Sequence, residues 1–463
     1  MQAIRSRVLI CLAAVSLVLT ISCRAAESPN VEAAQPKAAA TMAMPVIEVT
    51  GAKMPVPLPK IPDKSFSVKD SGAAGDGVAD DTAAIQKTIE TVGAAGGGKV
   101  VIPAGTYLCG PIKLVNSMDL HLAEGATLKV LALDKYPVVE GEHPAFITAS
   151  KLHDIRLSGS GTIDGQGEVW WKKFRAKELE LKRPRLIYLT RCERVEVTGI
   201  RLKDAPMFNL TLNMDTDVTV DGITITADTE SPNTDGIQVK GSNFVIRNCS
   251  ISNGDDNIVF GGPAKDVTIH NCKFGTGHGI SMGSYTRNGI SNIKVYDCTF
   301  DGTEGCLRGK SQNDRGGVVE NISYSNITIA NVLNPVYFMS YYEDKNKDPN
   351  NDEPQPVTDL TPIWRNMRFE NIKASTVTND RRNAGILWGT PEAPIENFVF
   401  RNVDITAQKT FKVYHCRNIF FADDVKLTLE PEQIPFHIFD STNIRTPDGK
   451  IRSAPGRQPG TSD

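Results

Sequence analysis

The chain repeats itself, and the repeat limits what it can fold into. Residues 195–200, 218–223, 244–249, 267–272, 293–298, 322–327, 367–372 and 398–403 share one pattern of alternating apolar and polar residues closed by a turn residue and one more apolar side chain. The turn residues are Gly199, Gly222, Asn248, Asn271, Asp297, Asn326, Asn371 and Asn402, spaced 23, 26, 23, 26, 29, 45 and 31 apart. Alternation at period two is a strand signal, and Gly, Asn or Asp supplies the tight bend. A unit of this size cannot bury its own apolar face, so successive copies must stack into one continuous core. Short strands and no helical pattern within the repeats predict an all-β chain, a right-handed parallel β-helix. A leucine-rich array would need a leucine ladder, which is missing, and a propeller blade would need a longer unit.

In a solenoid, residues one period apart are stacked neighbours. Asp235 precedes Asp256 by 21 residues and Asp255 precedes His278 by 23, so Asp235, Asp255, Asp256 and His278 are expected to converge in one patch. Adjacent coils lie about 4.8 Å apart. Carboxylates one coil apart with lateral offset then reach the roughly 6.5–9.5 Å separation that admits a water in an inverting glycosidase. Crowding should raise the proton affinity of one acid. Asp255 and Asp256 are adjacent and cannot both face a cleft from a regular strand, so Gly254 is expected to bend the chain there. The glycines flanking His278 suggest close approach by another group. Arg308 and Lys310 are two apart and share a strand face, suited to binding the carboxylate of a sugar acid.

Taken in order, Asn233-Thr234-Asp235, Gly254-Asp255-Asp256, Gly277-His278-Gly279 and Arg308-Gly309-Lys310 resemble the motifs of the polygalacturonase family, glycoside hydrolase family 28. The resemblance runs from about Phe66 to about Asn418. It implies a right-handed parallel β-helix that hydrolyses galacturonic-acid polysaccharide with inversion, without cofactor or metal. It also implies Asp255 as the general acid that crowding keeps protonated, Asp235 and Asp256 as the pair that holds the attacking water, and Asn233, Arg308 and Lys310 as substrate contacts. Gly309 departs from the family, which has an apolar residue there, and Asn257 departs from a small or Cys residue. Two other classes share the architecture: a lyase using the acids to hold calcium, and a non-catalytic polysaccharide binder.

Residues 1–25 read as a signal peptide, with Arg5 and Arg7 before an apolar stretch, cleaved near Ala25 or Ala26, with lipid attachment at Cys23 as the alternative that Thr20 disfavours. The protein is therefore expected to be exported, periplasmic or secreted, with no membrane span in the mature chain. Residues 26–63 read as a linker or disordered arm, 64–440 as the β-helix and 441–463 as a polar tail. Residues 83–92 carry Ile85, Ile89 and Val92 on one face and are expected to form a short N-terminal capping helix, stopped by Gly96-Gly97-Gly98. A net charge of -3 gives no attraction to nucleic acid, so any recognition of charge must be local; the resemblance implies an acidic polysaccharide or oligosaccharide as partner, bound by a monomer. Cys249, Cys272 and Cys298 share a register position and read as a buried ladder, with a disulfide from Cys298 to Cys306 as an alternative. Residues 331–364 interrupt the repeat with Tyr337, Phe338, Tyr341, Tyr342 and a polar run, and are expected to fold over one end of the cleft.

Overall fold

The computed structural model describes residues 42–344, 347–378 and 382–456; the expected signal segment, with Cys23, lies outside them. The strands stack coil on coil in parallel, as in Val218–Val220 beside Phe244–Ile246 beside Val267–Ile269 beside Ile293–Val295. The fold is a right-handed parallel β-helix. All eight register residues adopt φ between 47° and 73°. This left-handed region is cheap only for glycine and, among other residues, for Asn and Asp, which explains why those three types alone occupy the position. The side chains then bond along the stack: Asn326 donates to Asp297, Asn371 to Asn326 and Asn402 to Asn371 at 2.8–3.0 Å.

One residue further on, an inward column runs Ile200, Ile223, Cys249, Cys272, Cys298, Ile327, Ile372, Val403, each at most 2% exposed. Every cysteine among the described residues is free and buried. Cys306 contacts the Thr303 hydroxyl at 3.1 Å and makes no bond to Cys298. The capping helix spans Thr82–Ala94, with Ile85, Thr88, Ile89 and Val92 buried against the first coils. A second helix, Gly167–Arg175, had no counterpart in the sequence reading; it buries Trp170 and Trp171. Among the described residues no helix is long and apolar enough to cross a membrane.

Both flanks are more ordered than composition suggested. From Met42 the expected arm lies along the solenoid instead. Ile47 packs on Val399 and Phe420, while Ala52 and Val56 pack on Val245. The backbone amides of Thr50, Lys53 and Lys60 donate to Asn292, Asn243 and Asp154 at 2.8–2.9 Å. These partners are separated from the arm by about a hundred residues or more, beyond the reach of local pattern. The expected tail likewise contributes Ser441–Arg445 to the last coil, and Ile451–Ala454 pairs with it antiparallel. The insertion begins later than expected: Tyr337 and Phe338 belong to a regular strand, Asn334–Met339, and Phe338 is core.

Candidate active site

Asp235, Asp256 and His278 each stand two residues before an isoleucine, and Ile237, Ile258 and Ile280 pair in register on successive coils. The three side chains therefore form one column. Asp255 stands one residue earlier, in the register position that Glu304 occupies before Leu307 on the fourth coil. Neither Asp255 nor Asp256 lies in a strand: both sit in the turn that enters Ile258–His270, so strand alternation does not apply. Gly254 is needed for closeness rather than for dihedral freedom, since a Cβ there would come 2.2 Å from the Ser231 carbonyl oxygen. Beside His278 both needs apply: Gly277 and Gly279 take φ of 127° and 74°, and the close approach comes from the chain itself. A Cβ on Gly277 would meet Asn253, and one on Gly279 would meet the Gly305 carbonyl, at 2.4 and 2.2 Å.

Asn257 staples these turns together. Fully buried, its amide donates to the carbonyls of Ile251 and Thr276 and to Asn253 Oδ1, and its Oδ1 accepts from the Gly279 amide at 2.8 Å. A small or Cys side chain could not make these bonds. Gly309 is equally well explained. A Cβ there would stand 2.3 Å from the Phe338 ring and 2.8 Å from Trp364, so the space of an apolar side chain is filled by the next coil.

Asp256 is held from three sides. Lys310 Nζ lies 2.7 Å from Oδ2, and the Ser281 hydroxyl donates to Oδ1 at 2.7 Å. Arg308 reaches Oδ1 at 3.3 Å. Arg308 and Lys310 do share a face, as their spacing predicts, and both reach Asp256 while keeping further donors free for a sugar acid. His278 Nδ1 lies 3.2 Å from Asp255 Oδ1, and its Nε2 lies 3.1 Å from Glu304 Oε2. Asn233 points Nδ2 at Asp255 Oδ2, 3.4 Å away, while its Oδ1 accepts from buried Arg183 at 2.6 Å.

The expectation that crowding keeps Asp255 protonated is reversed. Burial and the charges of Asp255 and Asp256 push Asp235 well above its ordinary value, against a hydrogen bond from Gln238 at 2.9 Å and the charge of Lys310. Burial also pushes Asp255 up, but the hydrogen bond and charge of His278, with Lys310, hold it below its ordinary value. Burial disfavours the imidazolium of His278, yet bonds to Asp255 and Glu304 raise its pKa to about 9. Glu304 in turn is lowered to about 2, chiefly by its bond to His278. At neutral pH His278 is therefore a cation between two carboxylates.

Sequence reading missed Glu304, Arg183, Gln238 and Ser281. Glu304 was within reach, because extending the Asp255 column by two coils lands on it. Arg183 lies between the second helix and the next strand, outside any repeat, and carried no signal. Asp255, Asp256 and His278 also bring ligand atoms within 4.8 Å of one another. Both Asp256 oxygens are already bonded to cations, and His278 is itself charged, which makes the trio a poor cation site.

These groups floor a cleft. Asn233, Asp235, Asp255, Asp256, Lys310 and Tyr342 line one part, of about 390 Å³, and His278, Glu304, Arg308, Tyr337, Tyr341 and Trp388 line the adjoining part, of about 630 Å³. A parallel β-helix with carboxylates clustered at the floor of a surface cleft is the form of a solenoid enzyme acting on polysaccharide. The chain belongs to glycosyl hydrolases family 28, whose model matches residues 94–425, and it is a glycoside hydrolase. It is 30% identical to an endo-polygalacturonase of Pectobacterium carotovorum over 77% of this chain and 90% of that protein. It is also 30% identical to an exopolygalacturonase of Zea mays, over 77% of this chain and 88% of the relative. In fold it matches a family 28 exopolygalacturonase of Yersinia enterocolitica with a TM-score of 0.70 and 20% identity, over 85% of this chain and 79% of that one.

Replacing Glu304 by Gln is expected to lower the His278 pKa from about 9 toward the ordinary histidine value of 6.5, because the carboxylate that favours the imidazolium is gone. The alkaline limb of the pH–rate profile should move down with it. A His278 imidazole resonance followed by NMR should report the same direction. An unmoved titration would show that the Glu304 contact has no electrostatic consequence.

Proposed function

We propose that the protein hydrolyses galacturonosyl linkages of pectin-type polysaccharide by an inverting acid/base route. The observation that carries this reading is the convergence of Asp235, Asp255 and Asp256 on adjacent coils with a charged His278. Asp255 is the most accessible of the three acids, with a side chain 21% exposed against 4% for Asp256. It is the carboxyl that a glycosidic oxygen can reach, and it acts as proton donor. Asp235 and Asp256 flank the space for the attacking water. His278 and Lys310 hold Asp255 below its ordinary value, and a bound sugar that covers it and displaces water raises its affinity for the proton it must donate. His278, Arg308 and Lys310 set the charge of the cluster rather than act on the sugar bond directly.

Exo action is the mode we favour. The insertion supplies Tyr341, Tyr342, Glu343 and Asp344 to the same part of the cleft as His278 and Arg308, so it stands where a long chain would have to pass. Among the relatives, both endo- and exo-acting proteins occur.

Digestion of polygalacturonan followed by proton NMR of the first product tests the chemistry. Release of the β-anomer from an α-linked chain is expected. An unsaturated, ultraviolet-absorbing product would make it a lyase, and no new reducing ends would make it a binding protein. Viscosity separates the modes: monomer from the outset with little thinning is expected, and rapid thinning with mixed oligomers would overturn exo action.

A further inference from the structure

A galacturonate chain carries one carboxylate per ring, so seating it takes cations beyond the Arg308 and Lys310 pair beside Asp256. Lys310 and Arg308 are bound to Asp256, and Arg183 is buried against Asn233 and the carbonyls of Pro206 and Pro232. Lys240 differs from all three. It lines the cleft together with Asp235, Asp255 and Asp256, is half-buried, and makes no ion pair among the described residues.

Its position is built by the backbone. Lys240 ends the regular part of the strand that follows Asp235, and pairs with Asn213 on the preceding coil. Toward the next coil the register breaks between Val239 and Gly241, so Lys240 has no strand partner on that side. Such an irregularity re-aims the side chain at that point. The stem then lies over Gly261 of the next coil, where a Cβ would come 2.4 Å from Cε and 3.3 Å from Nζ. Glycine at 261 therefore leaves open the channel along which the lysine reaches into the cleft.

We infer that Lys240 is the anchor for the carboxylate of a galacturonate unit beside the scissile bond, with Gly261 keeping its path clear. This rests on the hydrolase reading above and adds a specificity determinant to it. A lysine is suited to the task because its ammonium is a compact charge on a flexible stem that can follow the sugar acid as it seats. A methyl at 261 would push the end of the lysine aside, displacing the ammonium while leaving the backbone in place.

The test is steady-state kinetics on galacturonate oligomers with the wild-type chain, Lys240→Met, Lys240→Arg and Gly261→Ala. A charge-assisted hydrogen bond is worth about 1.5–3 kcal/mol, which corresponds to a KM increase of roughly 10–100-fold for Lys240→Met. The arginine variant should recover part of the loss, and Gly261→Ala should raise KM in the same direction. The penalty of Lys240→Met should shrink on oligomers whose carboxyls are methyl esters, since the charge it binds is absent. Unchanged KM in Lys240→Met, or an equal penalty on acid and ester substrates, would overturn the inference. Failure of the wild-type chain to cleave any galacturonate oligomer would instead overturn the hydrolase reading, so the two are told apart. Thermal unfolding of each variant accompanies the kinetics. A KM change that appears only with a lowered midpoint would assign Lys240 a structural role and also overturn the inference.

Discussion

Asp255→Asn is expected to lower kcat by about 10²–10⁴-fold, the usual contribution of a positioned general acid. The amide keeps the shape of the carboxyl and can still accept from His278 at the position now 3.2 Å away, but it has no proton of suitable acidity to give. Affinity for a galacturonate oligomer should change little, because the side chain is assigned to the leaving oxygen and not to holding the sugar. Stability should fall only modestly, since His278 loses one of its two carboxylate partners but keeps Glu304 at 3.1 Å. Two measurements decide it: single-turnover hydrolysis and a thermal melt. Retained turnover would remove Asp255 from the reaction. A drop in melting temperature as large as that of a core substitution would make it a structural residue.

Lys310→Met is expected to destabilise the fold by about 3 kcal/mol, the low end of what breaking a buried ion pair costs. Lys310 and Asp256 have side chains only 6% and 4% exposed, at 2.7 Å. Removing the ammonium leaves a buried carboxylate with Arg308 at 3.3 Å and the Ser281 hydroxyl as its remaining partners. Activity should fall with stability, because Asp256 would no longer be held in place beside the water site. Urea unfolding of Lys310→Met and of Lys310→Met/Asp256→Asn separates the causes. If the orphaned charge is responsible, the double variant recovers much of the lost stability. Equal loss in both would place the cost in packing around the lysine stem, which also carries the Tyr342 ring 5.2 Å from its Nζ.

The repeat was fully legible. Each turn residue recognised by its type occupies the left-handed region, and each Cys of the ladder packs where period and alternation place it. Both are local consequences: a φ near +55° selects Asn, Asp and Gly whatever surrounds it, and alternation assigns sides without knowledge of the partner. Coil spacing also brought Asp235, Asp255, Asp256 and His278 together correctly, because in a solenoid one period of sequence is one step in space. The flanks were not legible. The arm from Met42 looked like a linker because its anchors, Asn292, Asn243 and Val245, follow it by about 190 residues or more.

Which chemical state each site residue holds was decided only by tertiary structure. Spacing places three acids and three basic side chains near one another, but does not show that Lys310 and Arg308 converge on Asp256, that Glu304 completes the second side of His278, or that burial raises the proton affinity of Asp235 while His278 lowers that of Asp255. Sequence spacing fixes position along the stack to within one coil, a few ångströms. Proton affinity and pairing turn on differences of about an ångström and on burial, because Coulomb attraction and desolvation both change steeply over that distance.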